Sequence, residues 1–192
     1  MSDTDEDKAT AREDLCRFLA ACYYEPTVEF TEERLFDSMV AAAERLDPEL
    51  AVHTRRLGEA FAAADLQELL VDYSRLFLGP VQALARPYAS VWLTGENVVM
   101  QDTTMELLRL YEQGGFAIDE NFQELPDHVA VELEFLYLLT HQLDQAQGSG
   151  DVDIAVLEVG KRQSVCLPLD IAELFVLRAV VAGFAGCAPA IA

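Results

Sequence analysis

The chain has 192 residues, 52% of them hydrophobic, with 34 Asp and Glu against 13 Lys and Arg, for a formal net charge of −21. The apolar content excludes a disordered chain, and the length fits one core. A field of that sign repels phosphate backbones, which excludes a general nucleic-acid binder and leaves a basic partner or a high-salt cytoplasm as the source of the acidity.

The opening MSDTDEDKAT is acidic and polar. It has no basic start and no apolar centre, so it is no secretory signal, and residues 1–9 are expected to form a disordered acidic tail. Leu15, Phe18, Leu19, Cys22 and Tyr23 then recur at helical spacing, closed by Glu25-Pro26. Cys16 and Cys22 share that helix, about 9 Å apart along its axis, too far for an unstrained disulfide. With Cys166 and Cys187 they form no CxxC pair and no zinc spacing, and read as small buried thiols. A second helix is expected from about Thr31, with Phe30 and Leu35 placed as a hydrophobic staple and Leu35, Met39, Val40, Ala43 and Leu46 as its stripe. Asp47-Pro48 reads as a cap followed by proline at the first helical position, and Leu50, Leu57 and Phe61 carry that helix. Asp65 with Glu68 resembles a capping box ahead of Leu66, Leu69, Leu70, Tyr73, Leu76 and Phe77, and Gly79-Pro80 stops the segment.

Val81–Leu93 has no clean period and is expected to be an ordered loop containing Pro87, Tyr88, Ser90 and Trp92. A helix over Thr103–Gln113 ends at Gly114-Gly115. A polar loop, Asp119–Leu125, leads to Pro126-Asp127-His128, and VAVELEFLYLLTHQLDQA follows as a long helix. Gln147–Asp151 reads as a flexible break, and Asp170 to about Phe184 as a last helix. From Leu174 to Ala192 the chain is mostly apolar, but Arg178, Gly183, Gly186 and Pro189 make it too weak for a membrane span. No hairpin signal and no repeat appear. The fold class is therefore all-α, a bundle of roughly six to eight helices.

Motifs for catalysis are sparse. His128 and Glu132 share a helix face, with Asp127 and Glu134 nearby, but a metal site needs three or four convergent ligands and no HExxH is present. Structural roles, Asp127 at a helix start and Glu132 exposed, fit as well. Ser90 lacks a GxSxG elbow, and neither GxxxxGK[ST] nor GxGxxG occurs. An aromatic loop, a Pro-Asp-His turn and an acidic surface remain. They suit a binding module for a basic, partly apolar peptide, or a loop whose rings close the core.

Two segments resemble a known family. Tyr73-Ser-Arg-Leu-Phe-Leu-Gly-Pro80 followed by Arg86-Pro-Tyr-Ala-Ser-Val-Trp-Leu93 resembles the Y-x-x-L-F-x-G-P and P-Y/W-x-S-x-Y/W signature of the TorD/DmsD-type chaperones. Glu124-Leu-Pro-Asp-His-Val-Ala-Val-Glu-Leu-Glu-Phe135 is similar to that family's E-x-P-D-H-(I/V)-x-x-E-L-x-F signature. Both stand in the family's order, and the resemblance covers roughly residues 10–146. The chain after Gln147 departs from the pattern, and 152–192 is divergent.

The resemblance implies a TorD-like helical bundle over residues 10–192, acting in the cytoplasm without catalytic turnover. It implies binding of the twin-arginine signal peptide of a molybdoenzyme catalytic subunit. The apoenzyme is held until its molybdopterin guanine dinucleotide is loaded, and only then exported. No cofactor is bound stably, although some members take guanine nucleotides weakly, and the chain is a monomer or a domain-swapped dimer. It binds no nucleic acid and makes no stable membrane insertion. Within that reading Asp127 is the first candidate for the guanidinium groups, with Glu124 and Glu132 as rim charges. Leu76, Phe77, Pro87, Tyr88 and Trp92 line a greasy groove, and His128 bonds the peptide backbone or holds the turn. Ser90 and Pro126 complete the two motifs. The alternatives are a small metal- or nucleotide-dependent enzyme using the Pro126-Asp127-His128 turn, and a non-specific acidic adaptor.

Overall fold

The computed structural model describes residues 3–79, 83–94, 98–119 and 122–149. In chain order the helices are α1 (Asp3–Ala21), α2 (Glu29–Glu32), α3 (Leu35–Leu46), α4 (Pro48–Ala63), α5 (Leu66–Tyr73) with a π-helical turn (Ser74–Leu78), α6 (Ala89–Thr94), α7 (Asp102–Gln113) and α8 (Val129–Ser149). Among the described residues there is no strand, and extended backbone pairs only in an isolated antiparallel bridge between Tyr88 and His128. The all-α class expected from the sequence is the class observed. The length suggests one core, yet the described residues form two compact units: α1 with α6–α8, and α2–α5 with the π-helical turn.

In the first unit α1 packs along α8. The helix begins at Asp3, so the tail expected through residue 9 is helical from that point. Ala11, Glu13, Leu15, Cys16 and Ala20 are buried on it, and burial pushes the Cys16 thiol up to about 11. Cys16 and Cys22 are free thiols. Leu107 and Tyr111 of α7 and Val131, Phe135 and Leu139 of α8 form a core cluster, covered by Phe116, Ile118 and Phe122. Phe135 meets the rings of Tyr111 and Phe116 edge-on at 4.5 and 5.5 Å, the arrangement that aromatic quadrupoles favour. A side chain at Gly114 would stand 3.1 Å from both phenyl rings, so glycine lets α7 end against them, and Gly115 turns the chain at φ +78°. Helix α8 continues through Ser149, past the break expected at Gln147.

In the second unit the helix expected from Thr31 is split in two. Arg34 takes a left-handed conformation (φ 54°, ψ 43°) and separates Glu29–Glu32 from Leu35–Leu46. Phe30 stacks on Phe61 at 5.8 Å and meets Phe36 at 6.4 Å, so ring packing fixes this entry. A Cβ on Gly58 would lie 2.9 Å from that of Phe36, which makes glycine the condition for α3 and α4 to approach this closely. Two expected caps are present: Asp47 accepts the Glu49 amide at 2.6 Å and Asp65 accepts the Gln67 amide at 2.8 Å. Met39, Leu57 and Leu69 fill the interior. Helix α5 widens into the π-helical turn and stops where Gly79, at φ 57°, donates to Ser74 O at 2.7 Å. The predicted helix at Asp170–Phe184, the Leu174–Ala192 stretch, Cys166 and Cys187 lie outside the described residues. No described helix is long and apolar enough to cross a membrane.

Candidate functional site

The Pro87–Leu93 part of the first signature and the Glu124–Phe135 signature meet in the first unit. Helices α6 and α8 each begin with amide groups that have no partner inside the helix. Each segment supplies the other's acceptor. Asp127 O accepts the Ala89 amide at 2.9 Å, and Pro87 O accepts the Val129 amide at 2.8 Å. These two bonds frame the Tyr88–His128 bridge. Side chains finish the exchange. Asp127 Oδ2 accepts the Ser90 amide of α6 at 3.1 Å, and His128 Nδ1 accepts the Ala130 amide of α8 at 3.1 Å. The Tyr111 hydroxyl donates to Pro126 O at 2.8 Å and ties the turn to α7. The result is a clasp in which two distant stretches cap one another's helices.

Most of the clasp is interior. Ser90 is 0% exposed, Asp127 1%, His128 3% and Glu132 3%. Because His128 Nδ1 accepts, the neutral ring carries its proton on Nε2. Burial lowers the His128 pKa, against the opposing pull of Glu124 and Asp127. Burial, reinforced by the charge of Asp127, pushes Glu132 up to about 8. The Tyr111 hydroxyl is raised as well, first by burial and then by Glu132 and Asp127. Asp127 Oδ1 is buried with no hydrogen-bond partner among the described residues.

The outer edge of the clasp is different. Tyr88, Glu124 and Pro126 are half-buried. The Tyr88 ring lies edge-on to His128 at 5.4 Å, and its hydroxyl donates to Glu124 Oε2 at 3.3 Å. A carboxylate and an aromatic ring therefore share one accessible edge, backed by buried caps.

This placement revises several expectations. Asp127, read as the first guanidinium contact, is enclosed and spends its carboxylate on α6. Glu132, read as a rim charge or as an exposed residue, is buried. Ser90 stands at the start of a helix rather than in a loop, because the acceptor for its amide lies far along the chain. Pro87 is buried, His128 holds the turn, and Trp92 lies on α6. Leu76 and Phe77 sit in the π-helical turn of the other unit, half-buried and buried, with Phe77 against Tyr73 at 5.2 Å between ring centres. Tyr111 and Ala130 complete the clasp and escape sequence reasoning, since nothing in their local pattern marks them as more than helix residues. Among the described residues no group of three or more His, Cys, Asp or Glu could hold a metal ion.

Residues 43–162 match the family model described as nitrate reductase delta subunit. The match runs past Gln147, where the likeness read from the motifs ends. A curated relative from Shewanella loihica, Chaperone protein TorD, is 30% identical over 123 residues, covering 62% of this chain and 58% of the relative. Another Chaperone protein TorD, from Vibrio cholerae, is 27% identical over 150 residues, covering 78% of this chain and 63% of its own length. Each alignment thus spans about three fifths of the relative. A solved structure from Archaeoglobus fulgidus, described as a redox enzyme maturation protein, aligns over 80% of this chain and 92% of its own at 22% identity, with a TM-score of 0.45.

Proposed function

The chain belongs to the nitrate reductase delta subunit, or TorD, family, and from that premise we propose that it is a cytoplasmic maturation chaperone for a molybdoenzyme catalytic subunit. It binds the twin-arginine signal peptide and the apo form of that subunit, assists insertion of the molybdenum cofactor, and releases the client for export. It acts without catalytic turnover and without a resident cofactor of its own. The observation that supports this reading is the pairing of the Pro87–Leu93 and Glu124–Phe135 motifs in one clasp that presents the Tyr88–Glu124 edge.

The chemistry follows from that edge. A guanidinium group wants a carboxylate in planar two-point geometry and stacks on aromatic rings. Glu124 supplies the first and Tyr88 the second. Asp127 and His128 act behind them by fixing the backbone on which both are mounted. The net charge of −21 steers a doubly cationic leader inward and makes its capture salt-sensitive.

Calorimetry with the full chain tests this. A synthetic twin-arginine leader should bind, and its twin-lysine version should bind about tenfold more weakly, since lysine keeps the charge and loses the planar fork. Affinity should fall as salt rises. Equal affinity for the two leaders would favour the non-specific acidic adaptor, and no heat with any exported-oxidoreductase leader would overturn the reading.

A further inference from the structure

We propose that Tyr111 is the positioning residue of the Tyr88–Glu124 edge: it fixes where the Glu124 carboxylate stands, and so sets how well the edge tells a guanidinium pair from other cations. The inference rests on the reading above. Glu124 lies in the stretch between α7 and α8, outside any helix. The bond its carboxylate accepts from the Tyr88 hydroxyl is long, at 3.3 Å, and only half-buried. A bond of that length holds a side chain weakly. The place of this carboxylate is therefore set by the backbone that carries it.

Tyr111 grips that backbone at both ends. Its carbonyl accepts the Phe116 amide at 2.9 Å, where the stretch leaves α7. Its hydroxyl donates to Pro126 O at 2.8 Å, two residues beyond Glu124. The His128 amide then closes the turn on Leu125 O at 3.0 Å. Tyr111 itself is well anchored. It is 3% exposed, belongs to a helix of 12 residues, and packs its ring edge-on against Phe135 at 4.5 Å. Burial, with Glu132, Asp127 and Glu134 nearby, raises the phenol pKa, so the hydroxyl stays a donor throughout the neutral range. Tyr88 is placed from the other side, by its bridge and ring contact with His128.

Two-point recognition is what needs this anchoring. A planar guanidinium fork bonds both carboxylate oxygens only when they are held to within about half an ångström of the matching geometry. An ammonium is a point charge that follows a displaced carboxylate. Loss of the anchor therefore weakens arginine far more than lysine.

Tyr111→Phe removes the donor and keeps the ring. The full-length variant is titrated by calorimetry with the twin-arginine leader and its twin-lysine version, its fold checked by far-UV circular dichroism and Trp92 fluorescence. Affinity for the twin-arginine leader should fall about tenfold and that for the twin-lysine leader about twofold or less, so the preference between them largely disappears. In a Glu124→Gln background the same change should cost the twin-arginine leader no more than about twofold, because the group it positions is gone. Equal losses for the two leaders, no loss, or a full loss in the Glu124→Gln background would make Tyr111 a structural residue only and overturn the proposal. Hydrogen exchange on the unaltered chain gives a second reading. The His128 amide should be protected before any leader is added, and protection that arises only with the leader would overturn a pre-set edge. An unaltered chain that binds no leader overturns the functional reading itself, and the role of Tyr111 with it.

Discussion

Replacing Asp127 by alanine is expected to destabilise the chain by about 2–3 kcal/mol. The carboxylate that caps α6 is lost and the Ser90 amide stays buried and unpaired, which places the loss in the upper part of the about 1–3 kcal/mol range for such a group. Asp127→Asn should cost less, because its amide oxygen still accepts from Ser90. Asp47→Ala offers the comparison: Asp47 also caps a helix, but at an exposed site where water takes over the freed amide, so about 1 kcal/mol is expected. Urea unfolding followed by the fluorescence of Trp92, the sole tryptophan and a residue of α6, reads this effect directly. Equal losses for Asp127→Ala and Asp47→Ala would show that the Asp127 carboxylate does not hold the clasp.

The second large effect is one of pH. Glu132 titrates in the fold near 8 rather than at its ordinary 4.5, so the folded chain holds a proton there that the unfolded chain releases over that interval. Folding takes up this proton, and stability falls as pH rises through the window, by up to about 1.4 kcal/mol per pH unit. His128 acts in the opposite sense. Its pKa lies below the ordinary 6.5, so it removes stability as pH falls beneath that value. Between pH 6.5 and 8 the Glu132 contribution therefore stands clear of the histidine, with Asp127, Tyr111, Glu124 and Glu134 as the neighbouring ionisable groups. Glu132→Gln keeps the shape and cannot ionise. Its stability should fall less steeply across that window than the parent's, by about 1–2 kcal/mol at the alkaline end. Parallel profiles would mean that Glu132 is ionised in the fold at neutral pH.

Legibility of this chain in its sequence follows the reach of each interaction. Asp47 and Asp65 announce their helices because cap and capped amide are two residues apart. The apolar periods of α3, α4, α7 and α8 are legible for the same reason, and so is the stop at Gly79. Helix α6 is not, since the carboxylate that starts it is 37 residues further along the chain. Nor is the break at Arg34, where packing of Phe30 onto Phe36 and Phe61 overrides a continuous helical pattern.

The site shows the same limit from another side. Both signature segments are visible as motifs, and their residues invite assignment by charge: carboxylates for arginines, rings for an apolar run. Charge alone does not say which carboxylate faces water. Glu124 does so in part, at the end of a polar loop. Asp127 and Glu132 do not, because the Pro126–His128 turn, tied to Tyr111, and the first turn of α8 that follows it are buried in the core. The motif thus serves as a folding device that leaves the Tyr88–Glu124 edge accessible.

The proposed preparation of a molybdoenzyme subunit for its cofactor is tested by the molybdenum content of that subunit, produced with and without this chain and measured per polypeptide by elemental analysis. The subunit is expected to co-purify with the chain in its apo form and to reach full molybdenum content only when the chain is present. A subunit loaded to the same level in its absence would contradict it.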